Sequence, residues 1–133
     1  MFKLNALGII NQLICLTMQR EPKKISPCEL QNWINTCNRL PVLVDVREDS
    51  ELQIASLPFD FIHLPLSKAS DWMRNFPKLL PEGRPIVVLC HAGVRSWSFG
   101  VWLLEQDCTN EVWNLEGGID AWSISIDSNI PRY

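Results

Sequence analysis

The chain has 133 residues, 47% of them apolar and 20% charged, which suffices for one domain with a real core and leaves no room for a second catalytic domain. A formal net charge of −3 supplies no basic face, so nucleic acid is not expected as a partner. Five cysteines, at positions 15, 28, 37, 90 and 108, form an odd set without a CxxC pair or zinc-knuckle spacing, which points to a reducing, cytoplasmic setting and to no metal.

The first 20 residues, MFKLNALGIINQLICLTMQR, set Leu4, Leu7, Ile10, Ile14 and Met18 near a helical period that Asn5, Asn11 and Gln12 interrupt. The stretch is too short and polar for stable membrane insertion and carries no cleavage signal. It reads as an amphipathic or disordered extension over 1–20, with Met18 a candidate start, ahead of a domain over 21–133. Ser26, Pro27 and Glu29 form a capping-box signature that starts a helix running to about Cys37. LPVLVDV (40–46) is an almost continuous apolar run, as expected of a strand buried on both faces, with Asp45 at its polar end.

REDSELQIASL reads as a turn and short helix, FIHLPL (61–66) as a short strand, and SKASDWMRNF (67–76) as a helix with Ser67 or Ser70 near its start. PEGRP is a turn, IVVLC (86–90) a second buried strand, RSWSFGVWLLEQ a helix, EVWNL (111–115) a third strand, and EGGIDAW a glycine turn into a short helix. Alternation of strands and helices predicts an α/β domain with a mostly parallel central sheet flanked by helices. In such sheets a ligand site lies beyond the carboxyl ends of the strands, and DVRE, CHAGVR and EGG all fall there.

Cys90 stands at the tip of a buried strand, over the start of the next helix, where backbone N–H groups lack intrahelical partners. Those donors and the helix dipole favour a thiolate. Gly93 permits a positive φ, so the loop can curl its N–H groups inward as an anion nest, and Arg95 adds a forked cation suited to sulfate-like or phosphate-like oxygens. Cys15, Cys28, Cys37 and Cys108 are expected to be packing residues. His63 is expected to be structural, Trp102 and Trp122 to pack helices on the sheet, and Trp97 to stand at the pocket rim.

These residues resemble the rhodanese-like sulfurtransferases from about Ile25 to Trp122. CHAGVR (90–95) is similar to that family's active-site loop, LVDVRE (43–48) to its strand-end motif, and NLEGGIDAW (114–122) to its C-terminal signature. The resemblance implies a rhodanese-like three-layer domain and transfer of a sulfane sulfur through a Cys90 persulfide. The donor would be a small anion such as thiosulfate, and the acceptor a thiol, cyanide or a protein. It implies no cofactor beyond that covalent intermediate. The N–H groups of His91, Ala92, Gly93, Val94 and Arg95 would stabilise the thiolate and the departing sulfite, and Arg95 would hold the donor. His91 is expected to contribute mainly its N–H. Asp45 and Arg47 would brace the loop rather than react, and Gly117 and Gly118 would support it from the third strand.

The stretch ASLPFD (55–60) lacks the glycines usual in the family, and Asp107 or Asn110 takes the place of glycine at the end of the long helix. Two alternatives stand beside the sulfurtransferase. One is an interaction or sulfur-carrier module on the same fold. The other is a cysteine phosphatase or arsenate reductase, whose C-x5-R loop would require arginine where this chain has Ser96.

Overall fold

The computed structural model describes residues 5–10, 20–76, 78–106 and 108–133. Residues 6–10 form a helical turn in which Asn5 Oδ1 accepts from the Gly8 N–H at 2.8 Å. The rest of the extension lies outside the described residues, apart from Arg20. The domain runs β1 (Lys23–Ile25), α1 (Pro27–Thr36), β2 (Val42–Asp45), α2 (Asp49–Ile54), β3 (Ile62–His63), α3 (Ala69–Trp72), β4 (Ile86–Leu89), α4 (Val94–Leu104), β5 (Val112–Leu115) and α5 (Gly118–Ser125). The capping box at α1 forms as its spacing predicts: Ser26 Oγ accepts from the Glu29 N–H at 3.2 Å, and Glu29 Oε2 from the Ser26 N–H at 3.1 Å.

Several elements differ from the sequence reading. β1 was not expected, because three residues with two lysines carry no readable period. It forms by adding in parallel to the open edge of β5, with Ile25 opposite Leu115. The strand expected over 61–66 shrinks to two residues, since Pro65 has no N–H to continue the ladder. The helix expected over 67–76 is broken into α3 flanked by 3₁₀ turns at Leu66–Lys68 and Met73–Asn75, and Trp72 Nε1 reaches back to the Pro65 carbonyl at 2.9 Å. Asn110 does not cap α4. The N–H groups of Glu105 and Gln106 already fold back on the last turn, and Asn110 Nδ2 instead donates to the carbonyls of Pro81 and Arg84. Asp107 lies outside the described residues. Cys28 and Cys37 are exposed rather than packed, because they fall on the outer side and at the end of α1; Cys108 is half-buried, and Cys15 lies outside the described residues.

The sheet has the order β1-β5-β4-β2-β3 with every pair parallel. Strand parity then divides the core. Leu43, Val87, Leu89 and Leu115 pack on one face with Leu30 of α1 and Ile119 and Trp122 of α5. Val42, Val44, Val46, Ile86, Val88 and Val112 pack on the other with Phe99 and Leu103 of α4. Continuing that alternation one residue past β4 turns Cys90 toward α4. Trp122 is buried and Trp102 packs beside Phe99, as helix-to-sheet packing requires.

A cavity of about 590 Å³ lined by Leu40, Pro41, Val42, Phe59, Phe61 and Ile62 among others opens at the amino-terminal end of β2, remote from the three strand-end motifs. Among the described residues no helix is long and apolar enough to cross a membrane. Leu103 is fully buried between α4 and the sheet. Leu103→Ala is therefore expected to lower unfolding free energy by about 2–5 kcal/mol, measured by denaturant titration.

Candidate active site

The site is built at the carboxyl ends of β2, β4 and β5. Cys90 is 1% exposed. Its Sγ accepts from the Gly93 N–H at 3.1 Å and the Ser96 N–H at 3.4 Å. Gly93 has φ +95°, which residues with a Cβ rarely adopt, and that turn aims its N–H at the sulfur. Ser96 lies in the first turn of α4, where the N–H is not consumed within the helix. Of the run 91–95, Gly93 is thus the member whose N–H reaches sulfur, and the second donor comes from Ser96, beyond the arginine. Ala92 and Val94 are exposed on the rim, Val94 by 73%. Trp97 follows at the half-buried start of α4, with the Lys24 ammonium 5.8 Å from its ring centroid.

Ser96 and Asn114 extend this arrangement inward, and both are buried. Asn114 Nδ2 donates to the Gly93 carbonyl at 3.1 Å, which leaves Oδ1 facing Ser96 Oγ at 2.6 Å. An amide oxygen only accepts, so the Ser96 hydroxyl proton goes to Asn114. The 3.2 Å contact between Cys90 Sγ and Ser96 Oγ is then one in which a thiol donates to Ser96; a thiolate would draw the hydroxyl proton toward itself. Asn114 was not singled out from the sequence, and Ser96 entered there only as the position where a C-x5-R loop would carry arginine. A buried polar residue inside an otherwise apolar strand, at Asn114, was the available signal.

The glycine turn after β5 supports the loop from behind. Ile119 N–H donates to the Cys90 carbonyl at 2.9 Å and Asp120 N–H to the His91 carbonyl at 3.0 Å. A Cβ on Gly118, which has φ +61°, would stand 2.4 Å from both of those carbonyl oxygens. Gly117, also at positive φ, places its N near Gly93.

Four arginine and carboxylate side chains surround this frame. Arg47 and Asp45 are both buried, and the Arg47 guanidinium binds Asp45 through Nε and a terminal nitrogen at 2.8–3.1 Å. Burial works against the Arg47 charge, but its hydrogen bonds and charge contacts with Asp45 and Tyr133 outweigh that, so its pKa is raised. The other terminal nitrogen of Arg47 donates to Tyr133 Oη at 3.0 Å, and Tyr133 Oη donates to Glu51 Oε1 at 3.0 Å. Glu51 in turn takes both terminal nitrogens of Arg95 at 2.8 Å. Asp45 and Arg47 therefore reach the loop through two residues that the sequence did not flag, Glu51 and Tyr133. Arg95 is thus paired with a carboxylate, and its hydrogen bonds to Glu51 raise its pKa against the effect of burial. The His91 ring stacks on Tyr133, centroids 4.1 Å apart, and does not bond the sulfur. His63 Nε2 contacts the Arg47 carbonyl at 2.6 Å, a structural role. Among the described residues, no group of His, Cys, Asp or Glu could hold a metal ion.

Gly118→Ala is expected to cost about 1–3 kcal/mol from the backbone conformation alone and to push the Cys90–His91 peptides outward, read as a lower Tm together with altered Cys90 alkylation. The pH response follows from Glu51. Hydrogen bonds from Arg95, helped by the Glu48 N–H and Tyr133 and opposed by burial, hold its pKa at about 2 against an ordinary 4.5. Its contribution to stability is complete above pH 4.5 and is lost as pH falls toward about 2. Thermal melts over that range should show a steeper acid loss in the wild type than in Glu51→Gln.

The geometry meets three comparisons. A family model described as Rhodanese-like domain matches residues 26–125. The chain is 40% identical over 91 residues to the Rhodanese-like/PpiC domain-containing protein 12, chloroplastic, of Arabidopsis thaliana, covering 68% of this chain and 30% of that protein. It is 32% identical over 115 residues to the adenylyltransferase and sulfurtransferase UBA4 of Debaryomyces hansenii, covering 83% of this chain and 25% of that protein. The chain thus spans about a quarter to a third of the length of these curated relatives. A crystal structure of a rhodanese-related protein from Thermoplasma volcanium superposes with a TM-score of 0.62 at 27% identity, over 82% of this chain and 95% of that one. Parallel sheet, cysteine loop and glycine turn agree with these matches, and the chain belongs to the rhodanese-like domain family.

Proposed function

We propose that the chain is a sulfurtransferase that carries sulfane sulfur on Cys90. The observation that carries this reading is a buried cysteine at a strand end whose sulfur accepts two backbone N–H bonds from Gly93 and Ser96. In the first step the Cys90 thiolate attacks the outer sulfur of thiosulfate. The S–S bond of the donor breaks, sulfite leaves with the electron pair, and Cys90 becomes a persulfide. An acceptor thiol, cyanide or protein nucleophile then attacks the terminal sulfur and Cys90 departs as thiolate. The N–H groups that face Sγ are placed to stabilise negative charge at each stage, and the sulfur needs no carrier besides Cys90 itself.

Three further points support the reading. A relative is a sulfurtransferase by name. The C-x4-R loop is one residue shorter than a phosphatase loop, and the position where that loop would need arginine is the buried Ser96, bonded to Asn114. The described cysteines, Cys28, Cys37, Cys90 and Cys108, are unpaired thiols, as a reducing compartment such as the cytoplasm would keep them.

Intact mass after brief thiosulfate treatment should show about one added sulfur atom, removed by dithiothreitol and absent from Cys90→Ser. No added sulfur in the wild type would favour an interaction module. Hydrolysis of aryl phosphates without a persulfide would favour the phosphatase.

A further inference from the structure

The inner side of the Cys90 loop is held by β5 and the turn after it, through Asn114 on the Gly93 carbonyl and the Ile119 and Asp120 N–H groups on the carbonyls of Cys90 and His91. Its outer side has no such backing, since Ala92 and Val94 are exposed. There the loop meets Tyr133, three residues after the buried Ile130, whose carbonyl accepts from Ser123 Oγ of α5 at 2.6 Å. The Tyr133 ring lies on the His91 ring with centroids 4.1 Å and planes 13° apart. His91 Nε2 is buried and makes no hydrogen bond among the described residues, so the stack is what orients the imidazole. At the far end of the phenol, Oη accepts from Arg47 and donates to Glu51 Oε1, each at 3.0 Å, and Glu51 holds both terminal nitrogens of Arg95. Burial raises the Tyr133 pKa, so at neutral pH the phenol keeps the proton that this donation requires. One side chain thus fixes the loop at residue 91 and, through a carboxylate, at residue 95. The Gly93 N–H that points at Sγ stands between those two points.

We infer that Tyr133 is a positioning residue for Cys90: its ring holds His91 and its hydroxyl holds Arg95 through Glu51, which keeps the loop closed on Sγ with the Gly93 and Ser96 N–H groups at bonding distance. The inference deepens the sulfurtransferase reading and rests on it for what the sulfur does next. Loosening either anchor lets the amides drift from Sγ, and a sulfur with fewer donors is less readily a thiolate. Tyr133 touches neither the sulfur nor the reacting atoms, and it acts only through the residues it holds.

Cys90 alkylation by iodoacetamide, resolved by peptide mass, tests this together with hydrogen exchange at the Gly93 N–H. Tyr133→Phe keeps the stack and loses the bridge, and should slow alkylation about threefold; Tyr133→Ala loses both and should slow it about tenfold. Gly93 exchange should quicken in the same order. The chain has two histidines, so the imidazole NMR signals are readily assigned, and that of His91 should lose its ring-current shift in Tyr133→Ala and keep it in Tyr133→Phe. Arg132→Gln cuts an exposed ion pair to Asp120 in the same tail and should leave alkylation within about twofold of wild type. Alkylation unchanged or faster in both Tyr133 variants, or slowed as much by Arg132→Gln, overturns the role. If Tyr133→Ala does not fold, Tyr133→Phe decides alone. Thiosulfate loading followed by intact mass keeps the two readings apart: a wild type that gains no sulfur, while the Tyr133 variants still slow alkylation, overturns sulfur transfer and supports the positioning of Cys90.

Discussion

An arginine with no exposed surface can persist only where its charge is matched and its donors are filled, and Arg47 imposes that condition on the whole carboxyl end of the sheet. Asp45, the last residue of β2, supplies the charge, and Tyr133 takes the remaining terminal nitrogen. Tyr133 then donates to Glu51, and Glu51 holds Arg95 at the first turn of α4. The carboxyl-terminal Tyr133, a short helix and the cysteine loop are tied together because one buried guanidinium needs partners. Four of the buried polar residues, Asp45, Arg47, Ser96 and Asn114, lie in this end of the molecule, while the sheet interior elsewhere is aliphatic.

The sulfur is positioned by a different mechanism. Strand alternation, not a hydrogen bond, decides that Cys90 faces α4, and the turn at Gly93 brings the first-turn N–H of Ser96 within reach. The second support is steric. The carbonyls of Cys90 and His91 are taken by Ile119 and Asp120 across a gap that admits glycine and no larger residue at position 118. β5 therefore shapes the site twice, through Asn114 within it and through the turn that follows.

These two supports give the site a mixed character. Around Sγ stand backbone amides and the Ser96 hydroxyl, while farther out the charges are paired.

Much of this was legible in the linear chain. Continuous apolar runs ending at Asp45 and Cys90 predicted buried parallel strands, Ser26 and Glu29 predicted the start of α1, and the order of DVRE, CHAGVR and EGG placed three motifs at one end of the sheet. These features depend on neighbours in sequence, through periodicity, capping and glycine at a turn, and so a sequence can state them. β1 was invisible because its stability comes from the edge of β5, a strand almost ninety residues away. Glu51, Asn114 and Tyr133 were missed for the same reason: a glutamate in a short helix, an asparagine in a strand and a tyrosine in a tail have no local mark of their partners. The sequence by itself determined that a cysteine ends the second buried strand and that the loop after it turns at Gly93. Only the tertiary structure decided that the loop's arginine pairs with Glu51, because an ion pair between residues 44 positions apart exists only once β2 and β4 lie side by side.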